Sequence, residues 1–544
     1  MNLSTKSFFA CVAAFCTATL SAQTVAFAPQ REVWLRKAAE NMPELIETEK
    51  HPCRIVIPRQ DSLAFQGWTM DEAGDMASFY DRSFKARREA IVDFGEHMTG
   101  YFTFSVNTDT DSDAPLRFRL TFAEVPSELN TPFDPYPGSL SRAWLQDEVV
   151  TVMRLPAEVT VPRRVAFRYV KIEMLAHSSF DFRITDMHCK AVTSAAGEAP
   201  ALAPGTDPRI RRIHDVGLTT LRECMQTVYE DGPKRDRRLW IGDLYLESLA
   251  NACSFRNHAL TRRCLYLLAA LADEEGWLHA TVYERPTPHP QYRQHTMDYS
   301  LLYGVTLCEY LRATGDRQTA EDLWPVVVRQ VEFARTYLRD DIYDMDKKPG
   351  WWLVFDWKDD LDRHASMQGL MTFAVEQSYE LARMLGREGE VKHWPGVVRA
   401  MKDASRKTFF DRKTGLVYSG PNRQVSYLSQ VWMILSGTLS AEEGARALKA
   451  VLADPAACYP GSPYAYHYLI EAMIRCGMEE EARTKLMEYW GGMIDRGADT
   501  FWEVYDPNDD FKSPYGFFPI NSYCHAWSCT PVYFIHKYKE VFQR

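Results

Sequence analysis

The 544-residue chain carries no Lys- or Arg-rich block. Its 63 basic side chains are outnumbered by 73 acidic ones, for a formal net charge of −10. That balance excludes the electrostatic footprint of a nucleic-acid-binding protein. Cysteine is sparse and unpatterned. The twelve cysteines form no CxxC pair and no Cys/His spacing of metal-ligand type, so no disulfide framework, metal or other cofactor is expected. Cys253, Cys264 and Cys308 sit in apolar stretches and read as buried thiols. Cys524 and Cys529, the nearest pair, would share one helix without bridging. Long apolar runs are missing too, except at the N-terminus. There "SFFACVAAFCTATL" follows Lys6, too short and too early for a membrane span, and small residues lead to Ala22. This reads as a signal peptide over 1–22, cleaved before Gln23. Cys16 follows Phe15 and Cys11 comes too early for a lipoprotein anchor. The mature chain is predicted to be exported, periplasmic or extracellular, with no membrane span.

What the chain has is a large apolar content, 46%, against 25% charged residues, the balance of a globular protein with an ample core. The aromatic share of 13% suits ring-stacking surfaces or simply that core. The length suggests two to four domains. From about residue 50 to 195 the pattern has period two. "LRFRLTF" alternates Leu116, Phe118, Leu120 and Phe122 with Arg117, Arg119 and Thr121; "YVKIEM" alternates Val170, Ile172 and Met174; "FDFRI" alternates Phe180, Phe182 and Ile184. With turn-rich joins such as "NTDTDSDAP", this predicts an antiparallel β-sandwich over 30–195. "SAAGEAPALAPGTDP" is small, Pro/Gly-rich and unpatterned, and 196–207 is predicted to be a linker. Beyond it the chain reads as about twelve helices in pairs. Gly315 and Gly386 each end one helix before a segment carrying Trp-Pro-x-Val-Val-Arg, and "MIRCGMEEEARTKLMEYW" repeats the Gly stop and acidic restart. Six helical hairpins closing into a toroid account for 208–544.

The densest chemistry lies in "EDGPKRDRRLWIGD" (230–243), with four acids, four cations and a tryptophan. Pro233 suits the first turn of a helix. From there Leu239, Gly242, Leu246, Leu249 and Cys253 fall on one apolar stripe, while Asp236, Trp240 and Asp243 share another face at i, i+4 and i+7. Two acids flanking an indole suit a sugar subsite, where the ring stacks and the acids bind hydroxyls. A helical first turn, with acids favoured by the macrodipole and paired to Arg235, Arg237 and Arg238, accounts for them equally. A second cluster favours the site. "GADTFWEVYDP" (497–507) sets Glu503 between Trp502 and Tyr505, with Asp506 behind; a helix-ending loop with incidental acids is the alternative. "WWLVFDWKDD" sets Asp356 between Phe355 and Trp357, "QHTMDYS" offers Asp298 near His295, and "NSYCHAWS" offers His525 and Trp527.

"DGPKRDRRLWIGD" resembles the signature of α-L-rhamnosidase-type glycosidases, glycoside hydrolase family 78 and its relatives, which runs Asp-Cys-Pro-x-Arg-Glu-Arg-x-Gly-Trp-x-Gly-Asp. "DTFWEVYDP" resembles the later Trp-Glu segment of that family, and "CHAWSCTPVYF" its closing helix. "VDFGEHMTGYFTF", "SRAWLQDE" and "RRVAFRYVKI" are similar to its β-sandwich. The resemblance covers nearly all of the mature chain. It implies an (α/α)6 barrel preceded by a β-sandwich. The implied activity is inverting hydrolysis that removes a terminal sugar, α-L-rhamnose or a similar one, from plant-type glycans or glycosides. By position it implies Asp236 as general acid, Glu503 as general base, and Asp231 and Asp243 as sugar-binding carboxylates. Arg235, Trp240, Asp298, Asp356, Trp357, Trp502, Tyr505, His525 and Trp527 complete the expected substrate-binding set. Asp236 stands where the family has Glu, shorter by one C–C bond of about 1.5 Å. Gly232 replaces the signature's Cys, and Leu239-Trp240 its Gly-Trp.

Inverting hydrolysis needs one protonated carboxyl for the leaving oxygen and one carboxylate to activate water on the opposite face. Polysaccharide lyases use the same toroid with a Tyr or His base and a neutralising cation, roles that Tyr505, His525 and Arg235 would fill. A lyase would not need both Asp236 and Glu503. A non-catalytic glycan-binding relative is the third alternative.

Overall fold

A computed structural model describes residues 25–84, 88–109, 115–175, 181–347 and 352–544. The expected signal peptide, residues 110–114 of the "NTDTDSDAP" turn, and Phe180 lie outside the described residues. The described chain opens on helix α1 (Ala28–Glu40). Strands β1 (Ile46–Lys50), β2 (Arg54–Gln60) and β3 (Trp68–Gly74) follow, then a short helix α2 (Met76–Asp81). The remaining strands of this domain are β4 (Glu89–Asn107), β5 (Leu116–Ala123), β6 (Asp147–Val152), β7 (Ala157–Thr160), β8 (Val165–Met174) and β9 (Arg183–Thr193). All pair antiparallel in the order β1-β9-β4-β8-β5-β6; β2 joins β3 to β4, and β7 also pairs with β4. The long β4 serves two layers. Its first half pairs with β2 and β8, its second half with β9 and β7, and the register to β8 shifts between Asp93 and Met98. The layers meet through aromatic edges. Phe102 and Phe104 contact Phe122 and Phe118 at 5.3 and 5.9 Å. On β5, Leu116, Phe118, Leu120 and Phe122 are buried while Arg117 and Arg119 are exposed, as the alternation requires.

Residues 30–40 depart from the expected sandwich. They lie in α1, whose Trp34 and Ala38, four residues apart, bury against the helical domain. Arg263 donates to the Ala38 carbonyl at 2.6 Å, Arg262 to Asn41 at 2.8 Å and Arg31 to the Ala272 carbonyl at 2.5 Å. The segment precedes the sandwich in sequence but packs with the helices, because its apolar pair has period four rather than two.

The helical domain contains α3 (Pro208–Cys224), then a short strand β10 (Leu239–Trp240), α4 (Ile241–Cys253) and α5 (His258–Ala270). Strands β11 (Thr281–Tyr283) and β12 (His289–Pro290) precede α6 (Met297–Thr314), α7 (Arg317–Arg335), α8 (His364–Leu385), α9 (Trp394–Thr408) and α10 (Tyr427–Leu435). The last helices are α11 (Ala441–Ala453), α12 (Pro463–Arg475), α13 (Glu479–Asp495), α14 (Pro531–Lys537) and the one-turn α15 (Lys539–Phe542). α4, α6, α8, α10, α12 and α14 form an inner ring that closes through α14 on α4, and each packs on an outer partner: α5, α7, α9, α11, α13 and α3. His467 of α12 meets Phe534 of α14 at 5.0 Å. Gly315 and Gly386 end α6 and α8 in the left-handed region, both at φ 69°. The repeated Trp-Pro motif does not hold one helical position: Pro325 lies inside α7, whereas Pro395 lies in the first turn of α9.

The sandwich rests on the loops between the barrel's helices. Gln66 donates to the Tyr523 hydroxyl at 2.8 Å, Ser139 N–H to the Tyr515 carbonyl at 3.0 Å, and Lys234 pairs with Glu124 at 2.8 Å. Those loops, 231–238 and 499–523, carry Asp231, Asp236 and Glu503.

Candidate active site

Residues 231–238 form a loop rather than the helix expected from Pro233. The Asp231 carboxylate accepts backbone N–H groups from Asp236 at 3.2 Å and Arg238 at 3.1 Å, and Asp231 N–H donates to the Arg238 carbonyl at 3.0 Å. Side-chain-to-backbone bonds of this kind compete with helical ones. Arg237, at φ 62°, completes the turn. The helix begins only at Ile241, after β10 has paired with β11. The stripe from Gly242 through Leu246 and Leu249 then packs inward, and Gly242 is needed there. A Cβ on it would lie 2.2 Å from the Tyr299 ring. Asp236, Trp240 and Asp243 thus share no helix face, yet loop, strand and first helical turn deliver all three to one cavity of about 340 Å³.

Glu503 enters that cavity from the 499–523 loop. It is 2% exposed, and its carboxylate accepts bonds from the Arg235 guanidinium, the Tyr515 hydroxyl and, at 3.2 Å, Ser522 N–H. The same Arg235 reaches Asp236 at 3.2 Å, and Arg238 reaches the other Asp236 oxygen at 3.3 Å. Arg235 is itself fixed: its Nε donates to the Ile520 carbonyl at 2.9 Å and its guanidinium lies 4.3 Å from the Tyr515 ring centre. Burial first, and the neighbouring Asp236 second, push the Asp231 carboxyl up to about 8. Burial and then Asp231 hold Asp243 well above the ordinary carboxylate range. Burial and then Arg235 hold His525 well below the ordinary imidazole value. Both shifts favour the uncharged form, of the carboxyl in Asp243 and of the imidazole in His525. Asp243 Oδ1 and His525 Nδ1 lie 3.7 Å apart, neither in a hydrogen bond; Trp240 Nε1 and Trp357 Nε1 are also without partners. Four unpartnered polar groups around one cavity suit a ligand rich in hydroxyls, each able to donate and accept.

Of the expected set, Asp231, Arg235, Asp236, Trp240, Asp243, Trp357, Glu503, His525 and Trp527 line this cavity. Four others do not. Trp502 turns away from Glu503, as adjacent residues of an extended segment do, and stacks on Phe65 of the sandwich at 4.1 Å. Tyr505 is buried against Tyr489 at 5.4 Å and Trp502 at 5.8 Å. Asp298 accepts Val354 N–H at 2.8 Å, and Asp356 accepts Gly461 N–H at 2.7 Å and the Ser462 hydroxyl at 2.5 Å. Burial pushes both carboxyls up to about 6. They act from behind, holding the 352–357 segment that presents Trp352, Val354 and Trp357 to the cavity. Tyr515, Trp352, Tyr299 and Arg238 line the site without having been singled out from sequence, as do Leu140 and Trp144 of the sandwich. Trp352 lies in "WWLVFDWKDD" and Arg238 in the 230–243 cluster, where it reads as a partner of the acids; Tyr299 and Tyr515 carry no local signal.

Residues 52–191 match the glycosyl hydrolase family 78 alpha-rhamnosidase N-terminal domain, and residues 204–538 match the bacterial alpha-L-rhamnosidase six-hairpin glycosidase domain. The chain is similar to a solved rhamnosidase from Klebsiella oxytoca with rhamnose bound. Identity is 38%, over 93% of this chain and 99% of that one, with a TM-score of 0.89. The fold is shared with the family 78 rhamnosidase of Bacillus sp. GL1 (19% identity, 82% of this chain and 46% of that one, TM-score 0.68). It is shared also with the α-L-rhamnosidase from Dictyoglumus thermophilum (18% identity, 91% and 52%, TM-score 0.68). Curated protein sequences give no match. With both domains matched in order along most of its length, the chain belongs to glycoside hydrolase family 78 and is a rhamnosidase-like glycosidase of the six-hairpin type.

Proposed function

We propose that this protein is an exported, inverting α-L-rhamnosidase that removes terminal rhamnose from plant-type glycosides. The observation that carries the reading is Arg235, one guanidinium bonded to both Asp236 and Glu503 at a single cavity. Asp236 gives its proton to the glycosidic oxygen as the C1–O bond breaks. Glu503 takes a proton from the water whose oxygen bonds to C1 from the opposite face. One water is consumed, and the two carboxyls end with exchanged protonation. Asp243 and His525, each with an unpartnered polar atom, bind hydroxyls, and the indoles of Trp240, Trp357 and Trp527 exclude water and orient the ring. Rhamnose as the sugar is supported by the Klebsiella oxytoca rhamnosidase, which has rhamnose bound.

Proton NMR of the first turnovers on an aryl α-L-rhamnoside tests the stereochemistry. β-L-rhamnose is expected first, with the α-anomer growing only by mutarotation; α-anomer at the outset means retention and overturns the roles given to Asp236 and Glu503. Export is supported by Lys6 and the apolar run behind it. The full chain made in a bacterial host should reach the periplasm or medium with Gln23 as its first residue, and cytoplasmic retention with Met1 intact would contradict this.

A further inference from the structure

A proton donor marks the side of the cavity that the departing group occupies. The Asp236 side chain is 14% exposed and that of Glu503 only 2%, so the leaving side faces solvent while the buried Asp231, Asp243 and His525 meet the sugar. Part of the cavity wall comes from the other domain. Leu140 and Trp144, half-buried residues of the connection between β5 and β6, line the same cavity. The guanidinium of Arg237, one residue past Asp236, lies 6.0 Å from the Trp144 ring.

This connection is held firmly. Arg163 donates to the carbonyls of Ala143 at 2.9 Å and Leu145 at 2.7 Å. Arg142 bridges Asp147 at 2.6 Å and Asp134 at 2.9 Å. At its other end Ser139 N–H donates to the carbonyl of Tyr515, whose hydroxyl donates to Glu503. The segment therefore holds a leucine and an indole, both apolar, in fixed register with the catalytic pair, and neither brings an acid or base of its own. A flat apolar surface recognises a ring face and gains little from a small alkyl group.

We propose that Leu140 and Trp144 form the wall of a leaving-group subsite that selects glycosides whose aglycone presents a ring face, either an aromatic ring or a second pyranose. The assignment rests on the acid–base roles proposed above, and the β-sandwich thereby becomes part of the specificity machinery.

The test compares kcat/KM on an aryl α-L-rhamnoside, a rhamnosyl disaccharide and methyl α-L-rhamnoside. In Trp144→Ala the ratio of ring-bearing to methyl substrate should fall roughly ten-fold, while the inhibition constant for free L-rhamnose moves much less. Trp144→Phe should recover most of the ratio. Leu140→Ala should shift it in the same direction by a smaller factor, and carries the test if the melting curve shows that Trp144→Ala does not fold. A fall confined to the aryl substrate assigns an aromatic aglycone; one confined to the disaccharide assigns a second sugar. An unchanged ratio, or equal losses on methyl and ring-bearing substrates, overturns the subsite. Retention of configuration in the wild-type enzyme would instead defeat the underlying acid–base roles, whatever the ratios.

Discussion

Glu503→Gln is expected to lower kcat on α-L-rhamnosides by about 10²–10⁴-fold, with L-rhamnose binding by calorimetry changed little. The amide fits the site. Its oxygen can accept from Arg235 and Ser522 N–H, the donors to Glu503 Oε2, and its NH2 can donate to the Tyr515 hydroxyl, which both donates and accepts. Geometry is preserved and only the ability to take a proton from water is lost. Asp236→Asn is expected to act differently. Proton donation matters most when the leaving oxygen is a poor leaving group, so kcat/KM should drop far more for an alkyl or sugar aglycone than for nitrophenol. The asparagine must also turn its NH2 toward Arg235 or Arg238, which face opposite oxygens of the aspartate, so a modest uniform loss accompanies the leaving-group effect. Full activity in Glu503→Gln, or an Asp236→Asn loss equal across leaving groups, would sink the mechanism.

What the sequence made legible were the patterns that depend on periodicity and local composition. The alternation of β5 and the Gly315 and Gly386 stops predict elements that the structure contains, because a half-buried strand and a helix end are local problems. The acids of 231–243 and Glu503 stood out because charge interleaved with tryptophan has few structural explanations. Adjacency, though, does not tell direction. Trp502 and Tyr505 flank Glu503 in sequence but point into the core, and Asp298 and Asp356 bind backbone N–H groups one layer behind the cavity. The helix drawn from Pro233 failed for a tertiary reason as well. Asp231 satisfies the backbone of Asp236 and Arg238, a bonding pattern invisible to residue spacing. Tyr515 and Trp144 reach the site from segments with no regular pattern, placed only by the docking of one domain on the other.

That docking includes Lys234, at the position written x in the resembled signature, and its replacement should have the largest effect on stability. Lys234 Nζ lies 2.8 Å from Glu124 and 2.7 Å from Glu128, both on the sandwich, and all three side chains are 2% exposed or less. Burial opposes charge on Lys234, but the two carboxylates outweigh it and raise its pKa; Glu124 is correspondingly held low against its own burial by Lys234 and then His97. Glu124 also accepts Tyr523 N–H at 2.7 Å, so the cluster ties the sandwich to both loops that carry the catalytic pair. Removing one partner of a buried ion pair leaves the others unpaired in a medium of low polarity, at a cost of about 3–5 kcal/mol. Lys234→Met keeps the volume and loses the charge, and denaturant unfolding should show a deficit of that size. Glu128 supplies the sign of its pH dependence. Burial already raises its pKa above 4.5, and without Lys234 it rises further. A carboxyl whose folded-state pKa is raised contributes stability that is present below its unfolded value and lost as pH climbs through the folded one. The Lys234→Met deficit should therefore grow as the pH rises above 4.5. Adding Glu128→Gln should recover more than half of it, since Glu124 keeps His97 at 3.1 Å. A deficit independent of pH, or a double variant no more stable than Lys234→Met alone, would show that the cluster does not hold the two domains together by charge.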